Sequence, residues 1–402
     1  MLFRSLEQAF GRIRHMVNKP LARARLITQG VAVPLESNVP AGTPEHAQEI
    51  ASYFAATQGQ DFPGTISSLA YRMGTPDAVD TVREAFNQGL IVRGYPMRGT
   101  VFVTSSADLA WITQLCGARR LKAMEKNRPR LGLDNSHVDQ AAQIIHEVAG
   151  KHGATRAQLF EAFEQAGIPM GPGNGYHLVR SMLHAGTVVY GPIAEESNRV
   201  ENLVMLAKDW LPSGKDLEGV FNGDEHAAIT ELLRRYLNSH GPATLRDFAW
   251  WSKLPLGKIR KAFADIHTDY VSWGAATSAP GRSTGNSVPG EELWVREDAL
   301  DRIAEHEKQA NVLRLLAAFD EIILGYQDRM YIVPEQHHAA LVPGNNGVFR
   351  QAVVASGEVV GFWKRQGPST KRKIEVEEFK PLSATRAKQV QARFNTYPFA
   401  NS

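Results

Sequence analysis

The sequence predicts an α+β protein with three tandem winged helix-turn-helix units and a β-rich C-terminal region. Small-residue turns that end in threonine recur at Thr65, Thr155 and Thr244, at spacings of 90 and 89 residues. Each turn precedes two helix-like segments and then two short β-prone runs. Self-similarity at a fixed period indicates repeated copies of one supersecondary unit. A generic helical-repeat scaffold is the alternative, but the paired β-prone runs that end each copy favour winged helices.

The first unit is predicted at residues 43–115. Thr43 precedes a proline and is expected to cap the first helix, and Thr65 is expected to cap the second. A third amphipathic helix ends near a glycine, and residues 90–93 and 100–103 then predict two strands around a turn rich in glycine and proline. The capping residues, the glycine and proline positions and the apolar spacing therefore all predict three helices and a hairpin.

The second and third units are predicted at residues 136–210 and 224–300. Thr155 and Thr244 are the expected caps of their second helices. Proline opens the third helix of each unit, and a β-prone pair follows it. The predicted strand pairs are residues 188–190 with 203–205, and residues 270–273 with 293–295.

Two further regions flank the units. Residues 1–42 are rich in arginine and lack the continuous apolar stretch of a signal peptide, so they predict a basic N-terminal arm. A translation start placed too far upstream is the alternative. Residues 301–402 predict a helix over 301–319, then a β-meander with strands at 348–354, 359–363 and 374–379, and a terminal helix over 384–394.

Composition narrows the class of protein. The 402 residues are 43% hydrophobic and 22% charged, which indicates a globular protein of two to four domains. A single cysteine, Cys116, excludes a disulfide framework and thiolate-rich metal sites, and the thirteen histidines have no metal-ligand spacing. No apolar run approaches eighteen residues. We expect a cytoplasmic protein that uses no metal.

The net charge of only +3 is weak evidence for a polyanionic partner, but its distribution favours double-stranded DNA. Clusters of Lys and Arg occur in the third helix of the third unit and on a predicted hairpin near residue 370. Ordinary solvated surface charge is the alternative for either cluster alone. The residues expected to contact DNA are Arg83, Arg93, Lys253, Lys258, Arg260, Lys261, Lys364, Arg365, Lys371, Arg372 and Lys373.

Most sequence signatures of enzyme chemistry are absent. There is no glycine-rich phosphate loop that leads into a helix with lysine, and no nucleophile elbow, so no nucleotide cofactor is expected. Asp320, Asp328 and Arg329 form a candidate site, although inside an apolar run a buried ion pair or turn caps are the more ordinary interpretation. Gln58 to Asp61 follow the first helix, where Gly59 suits a left-handed helix cap and the polar side chains suit a surface turn.

A resemblance changes the interpretation of that turn. The chain resembles bacterial winged-helix DNA glycosylases of the AlkZ/YcaQ type over most of residues 22–380. The motifs that carry this resemblance are Arg25 to Val31, Gln58 to Asp61, Thr100 to Trp111, Gly241 to Ser252, and Phe319 to Arg329. The resemblance implies tandem winged helices around a basic channel and a monofunctional enzyme, without a cofactor, that excises N7-alkylated guanine and unhooks interstrand crosslinks.

The resemblance also implies a catalytic motif of glutamine, an aliphatic residue, and glutamine or aspartate. Carried over, Gln58 and Gln60 are the catalytic positions, and Asp61 is an alternative base. Gly59 departs from this pattern, and a flexible glycine puts catalysis in doubt. A non-catalytic DNA-binding protein, such as a regulator or lesion-recognition module, is therefore the main alternative; a protein-interaction scaffold is a third. We expect a monomer.

Overall fold

Three successive groups of three helices, each followed by an antiparallel pair of strands, form most of the molecule. The computed structural model describes residues 17–194, 201–274, 292–368 and 371–400. The first group comprises α2 (Pro44–Phe54), β1 (Thr57–Gln58), α3 (Phe62–Met73), α4 (Ala78–Asn87), β2 (Ile91–Gly94) and β3 (Phe102–Ser105), and it follows helix α1 (Lys19–Thr28).

Two helices connect the first group to the second. They are α5 (Ser106–Cys116) and α6 (Ala118–Asn127), and a 3-10 turn (Arg128–Leu131) follows them. The second group comprises α7 (Asn135–Ala149), α8 (Arg156–Gln165), α9 (Asn174–Ala185), β4 (Val188–Ile193) and β5 (Asn202–Leu206).

The third group follows two short helices, α10 (Ala207–Trp210) and α11 (Leu217–Phe221). It comprises α12 (Glu225–His240), α13 (Leu245–Ser252), α14 (Leu256–Ile266), the 3-10 turn His267–Asp269, β6 (Tyr270–Ser272) and β7 (Trp294–Arg296). The predicted hairpin tip at residues 275–291 lies outside the described residues.

The C-terminal region is a four-stranded antiparallel sheet with flanking helices. Its elements are α15 (Ala299–Glu305), β8 (Arg314–Leu315), α16 (Glu321–Leu324), β9 (Gln351–Ala355), β10 (Glu358–Gln366), β11 (Lys373–Glu378) and α17 (Ala384–Asn395), with 3-10 turns at Gln309–Asn311, Glu335–His337, Ala339–Leu341 and Pro343–Asn345. The predicted meander and terminal helix are therefore present, with boundaries shifted by a few residues.

The predicted helix over residues 301–319 is wrong. The helix there covers only Ala299–Glu305, and Arg314 and Leu315 pair instead with Val354 and Val353 of β9. A local apolar period cannot reveal this pairing, because the partner strand lies about forty residues further along the chain.

Helix caps account for the boundaries of the second helix in two groups. The hydroxyls of Thr155 and Thr244 each accept the backbone N–H three residues later in a reciprocal capping box, as predicted. Thr65 is different. Helix α3 begins earlier, at Phe62, so Thr65 lies inside it, and its hydroxyl donates to the carbonyl of Asp61 at 2.8 Å.

The sheets connect the first two groups. Strands β1, β3, β2, β4 and β5 form one five-stranded sheet in that order, and Arg93 of β2 pairs with Tyr190 of β4 across the two groups. Strand β1 is therefore an edge strand. Strands β6 and β7 pair separately, and the C-terminal sheet has the order β11, β10, β9, β8.

The expected N-terminal arm is only partly visible. Residues 1–16, with most of its arginines, lie outside the described residues. Lys19–Thr28 is a largely buried helix: Leu26 and Ile27 lie in the core, and Arg25 is 3% exposed. Residues 19–28 thus belong to the folded body and not to an arm.

Within the described ranges, no helix is long and apolar enough to cross a membrane. No cluster of side chains in these ranges has the composition of a metal site. Burial raises the pKa of the Cys116 thiol to about 12, which keeps it protonated and unreactive at neutral pH.

Candidate active site on a short edge strand

Gln58 and Gly59 lie at the edge of the five-stranded sheet and not at a helix end. Gln58 is opposite Phe102 of β3, and the Gly59 N–H donates to the Val101 carbonyl at 2.9 Å. Helix α2 ends at Phe54, and the residue that caps it, Ala55, has a positive φ of 60°. The prediction that Gly59 is the left-handed helix cap is therefore wrong, because strand pairing extends the chain there.

Every backbone polar group of Gln58 and Gly59 is hydrogen-bonded. The Gln58 N–H donates to Glu321 Oε1 at 2.7 Å, and the Gln58 carbonyl accepts from the Thr65 hydroxyl at 2.9 Å. The Gly59 carbonyl accepts from Arg93 Nη2 at 2.7 Å and Nε at 3.2 Å. These bonds are buried or partly buried, so breaking one leaves a costly unsatisfied group. The segment is consequently fixed in position although it contains a glycine.

A glycine at position 59 has a packing reason. A Cβ placed there would lie 3.1 Å from the carbonyl carbon of Phe102 and 3.3 Å from the Val103 nitrogen. These separations are shorter than ordinary van der Waals contacts. Glycine therefore allows β1 to approach β3 closely, and any larger residue requires β3 to move.

The glutamine side chains differ in environment. Gln58 is 5% exposed, and its Nε2 donates to the Thr100 hydroxyl at 3.3 Å. Its Oε1 is buried and has no hydrogen-bond partner among the described residues. Gln60, two residues along, is exposed. An unpaired buried amide oxygen is an acceptor held ready for a donor from outside the protein.

Asp61 follows at the start of α3 and is partly buried. Burial raises the pKa of its carboxyl group, although the Gly64 N–H and the Arg93 guanidinium act in the opposite direction. The raised pKa brings Asp61 closer to the range in which a carboxylate accepts protons at neutral pH.

Glu321 is a site residue that sequence analysis did not identify. Its carboxylate accepts a hydrogen bond from the Gln58 N–H. The distance from Glu321 Oε2 to His240 Nε2 is 3.3 Å. Glu321 is 3% exposed and His240 is fully buried. The only feature of the sequence that could have identified Glu321 is an acidic residue beside an apolar run, and Asp320 next to it has the same feature.

Asp320 forms a buried ion pair, as the more ordinary interpretation of Asp320, Asp328 and Arg329 predicted. Its carboxylate accepts from Arg72 Nη2 at 2.8 Å and Nη1 at 3.0 Å, and from the Ser68 hydroxyl at 2.9 Å. Burial alone would raise the pKa of Asp320, but the Arg72 guanidinium outweighs it and lowers that pKa. Asp328 is an exposed turn cap that accepts the Met330 N–H. The Arg329 guanidinium lies over the Trp250 ring.

Three other segments that carry the resemblance contact one another through buried polar side chains. Gln29 Nε2 donates to the Tyr326 hydroxyl at 2.9 Å. Arg25 Nε donates to the Pro242 carbonyl at 2.8 Å, and its guanidinium lies 3.6 Å above the Tyr326 ring. Arg25 also approaches Asp247 at 3.6 Å. Segments far apart in the sequence thus form one buried polar network that supports the Glu321 side of the site.

The residues expected to contact DNA occupy several environments. Arg93 is enclosed between the first two groups, bonded to Gly59 and Asn202, and its guanidinium lies 4.2 Å above the Phe62 ring. Burial lowers the pKa of Arg93 to about 10. These contacts give Arg93 a structural role in holding the Gly59 carbonyl, and its contact with DNA stays a prediction.

The remaining cations are nearer the surface. Arg83 donates to the Ala400 carbonyl, Lys258 pairs with Glu225, and Lys364 pairs with Glu375. The guanidinium groups of Arg365 and Arg372 lie over the Phe399 ring. The exposed members of the set are Lys253, Lys258, Arg260, Lys261, Lys364, Lys371 and Lys373.

Comparisons with known proteins agree on one family. A family model described as DNA glycosylase AlkZ-like matches residues 53–397. A curated protein of Streptomyces sahachiroi, an interstrand DNA cross-link repair glycosylase, is 22% identical over 336 residues, which cover 80% of this chain and 83% of that protein. The solved structure of Streptomyces sahachiroi DNA glycosylase AlkZ superposes with a TM-score of 0.66 at 18% identity and covers 96% of each chain.

Proposed function

This chain belongs to the AlkZ-like DNA glycosylase family, and on that premise we propose that it hydrolyses the N-glycosidic bond of N7-alkylated guanine and unhooks interstrand crosslinks. The observation that carries the proposal is the geometry of Gln58. Its amide oxygen is buried without a partner, while every hydrogen-bonding group of its backbone is occupied. Family membership decides against a non-catalytic DNA-binding protein and against an interaction scaffold.

We interpret the three helical groups as winged helices at residues 43–115, 136–210 and 224–300, followed by a separate C-terminal region at 301–402. Each group has the order of three helices and an antiparallel strand pair that defines the motif. We further propose that the protein acts as a monomer on duplex DNA in the bacterial nucleoid, and that it needs neither a metal nor a nucleotide cofactor.

The chemistry suits neutral amides. N7 alkylation makes guanine cationic, so the base already leaves readily and needs no strong acid. The sugar then develops oxocarbenium character, which is stabilised by electron-rich oxygens and trapped by a positioned water. We assign Gln58 Oε1 to accept a hydrogen bond from that water, and the exposed Gln60 amide to contact the substrate.

A gel assay tests this function. Purified protein is incubated with duplex containing one N7-methylguanine, and with duplex joined by one N7-guanine interstrand crosslink. We expect heat-labile abasic sites in the first substrate and separated strands on a denaturing gel in the second. Binding to both substrates with no strand breaks and no unhooking would contradict the proposal.

Glu321 is expected to position the catalytic strand. Replacing Glu321 with alanine removes the acceptor of the Gln58 N–H, and a small displacement of a catalytic group is costly. The single-turnover rate should fall by roughly tenfold to a hundredfold. Glu321→Gln keeps an acceptor oxygen in the same place, so it should retain most of the rate.

The readout separates positioning from general stability. Both variants should bind undamaged duplex like the parent protein, and rescue by glutamine should restore the rate without adding charge. A glutamine variant as slow as the alanine variant would show that the charge of Glu321, and not its hydrogen bond, is what matters.

Duplex binding should weaken steeply with salt. If about six phosphates are contacted, affinity should drop roughly a thousandfold between 50 and 200 mM salt, because each contact releases counterions. Replacing Lys371, Arg372 and Lys373 together with alanine should weaken binding to all sequences alike. Titration of a labelled duplex at several salt concentrations measures both effects. An unchanged affinity and salt slope would remove this hairpin from the interface.

A further inference from the structure

Helix α6 and the 3-10 turn after it are strongly basic and were not among the expected DNA contacts. Residues 118–131 contain six positive side chains and one negative one, Glu125. The segment connects the first two helical groups. Its buried side chains are Met124 in α6 and Arg128 in the turn, so most of its surface faces solvent.

Three of these cations lie on one face of the helix. Arg119, Lys122 and Lys126 are spaced three and four residues apart, which places them in a row along the axis. All three are exposed. Like charges at this spacing repel and destabilise an isolated helix. The row spans about 10 Å, a length over which one strand of B-DNA carries about three phosphates.

These three side chains have no internal partner. Over the described ranges, neither a hydrogen bond nor an ion pair involves the side chain of Arg119, Lys122 or Lys126. Some other surface cations are paired, for example the exposed Lys258 with Glu225 and the half-buried Arg350 with Glu377. The repulsion within the row is therefore not relieved by the protein itself, and an anionic partner would relieve it.

Helix α6, which carries the row, contacts the turn next to the glutamine strand. Gln58 bonds the hydroxyl of Thr100, and the neighbouring Gly99 lies against the Arg120 side chain of α6: a Cβ on Gly99 would lie 2.5 Å from Arg120 Nε. Arg180 of α9 donates to the Gly99 carbonyl at 3.3 Å. The turn before β3 thus joins α6 to the candidate site through direct contacts.

A second basic group surrounds the Trp250 ring. Lys253 is exposed, and its Nζ lies 5.2 Å from the centre of the Trp250 ring, over which the Arg98 guanidinium also lies at 4.1 Å. Burial lowers the pKa of Lys253, and the charges of Arg98 and Arg119 lower it further. Arg98 directly precedes Gly99, so this basic group includes a residue of the turn that α6 contacts.

We propose that the α6 row, Arg119, Lys122 and Lys126, binds the phosphate backbone of duplex DNA and guides the duplex to Gln58. This inference rests on the proposed function, since it needs a DNA substrate. We identify the partner as duplex DNA because its regularly spaced negative charges are complementary to a row of unpaired cations. The release of counterions from the DNA supplies the free energy of binding. Such contacts position the duplex without reading its sequence.

The test removes the row and leaves the site intact. The triple variant R119A/K122A/K126A keeps good helix formers in α6. Its affinity for undamaged duplex should fall about a hundredfold at 0.1 M salt, and the slope of log affinity against log salt should become less steep by about 2.7. The single-turnover rate at saturating protein should stay within about twofold of the parent rate, because Gln58 and Gln60 are unchanged.

Two control variants make the result specific. K308A/K380A/K388A removes three exposed positive charges from the C-terminal region and should bind nearly like the parent. R119K/K122R/K126R preserves the charges and should also bind like the parent. Equal weakening by both alanine triples would mean that net charge alone matters, which would overturn the inference.

The remaining outcomes separate this inference from the proposed function. If the parent excises N7-methylguanine but R119A/K122A/K126A binds and excises like the parent, the inference is wrong and the function stands. If the parent neither binds duplex nor excises the base, the proposed function fails and the inference fails with it.

Discussion

Replacing Gln58 or Gln60 with alanine should lower the single-turnover rate of base excision by roughly tenfold to a thousandfold, the usual cost of one positioning or electrostatic group. The Gln58 side chain makes one hydrogen bond within the described structure, to Thr100, so its removal should leave the fold intact. Affinity for undamaged duplex should barely change, because neither side chain brings charge to a phosphate.

Asp61 supplies the control for this prediction. If the amides position the water, Asp61→Asn should excise at close to the parent rate, and the rate should not depend on pH near neutrality. If Asp61 is the base, that variant should be slow, and the parent rate should fall as pH drops through the raised pKa of this carboxyl group. Glutamine variants as fast as the parent would leave the strand without a catalytic role.

Replacing Arg72 with alanine should lower the free energy of unfolding by about 3–5 kcal/mol, because it leaves the Asp320 carboxylate buried without its partner. Both side chains are 2% exposed, so water does not replace the lost contact. Denaturation by urea with a spectroscopic probe measures the change. Lys258→Ala is a matched control: it breaks an exposed pair with Glu225 and should cost less than about 1 kcal/mol.

The same pair predicts a pH dependence of stability. The pKa of Asp320 is lower in the folded protein than in the unfolded chain. Its contribution is therefore present above about pH 4, the ordinary range of an aspartate, and is lost as pH falls through the folded value. If Arg72→Ala unfolds at the same urea concentration as the parent at neutral pH, the pair does not support the fold.

Features that depend on residues close together in the sequence predicted helix boundaries correctly. Thr155 and Thr244 cap their helices because a cap depends on residues three positions apart, which a sequence displays directly. The same reasoning failed where a strand pairs with a partner that is distant in the sequence. Residues 301–319 have an apolar period, but β8 forms there because β9 offers it a partner. Gly59 directly follows strand β1, and its N–H bonds the Val101 carbonyl because β3 lies beside it.

The site shows the same division. The glutamine segment was found through its resemblance to a family, whereas the residues that hold it came only from the structure. Glu321 contacts Gln58 across 263 positions of sequence, and no spacing rule predicts such a contact. Arg93 was expected to contact DNA because of its charge, whereas its contacts with the rings of Phe62 and Tyr190 were not recognisable from the sequence. The spacing of the α6 row can be read from the sequence, but the contact of α6 with Gly99 cannot.

The most direct test of the catalytic assignment identifies the product. Duplex with one N7-methylguanine is incubated with the parent protein and with the double variant Q58A/Q60A, and free base is measured by mass spectrometry before any heating. The parent should release N7-methylguanine, and the double variant should release little while binding the duplex equally well. Release by the double variant at the parent rate, or no release by the parent, would contradict the assignment of base excision to Gln58 and Gln60.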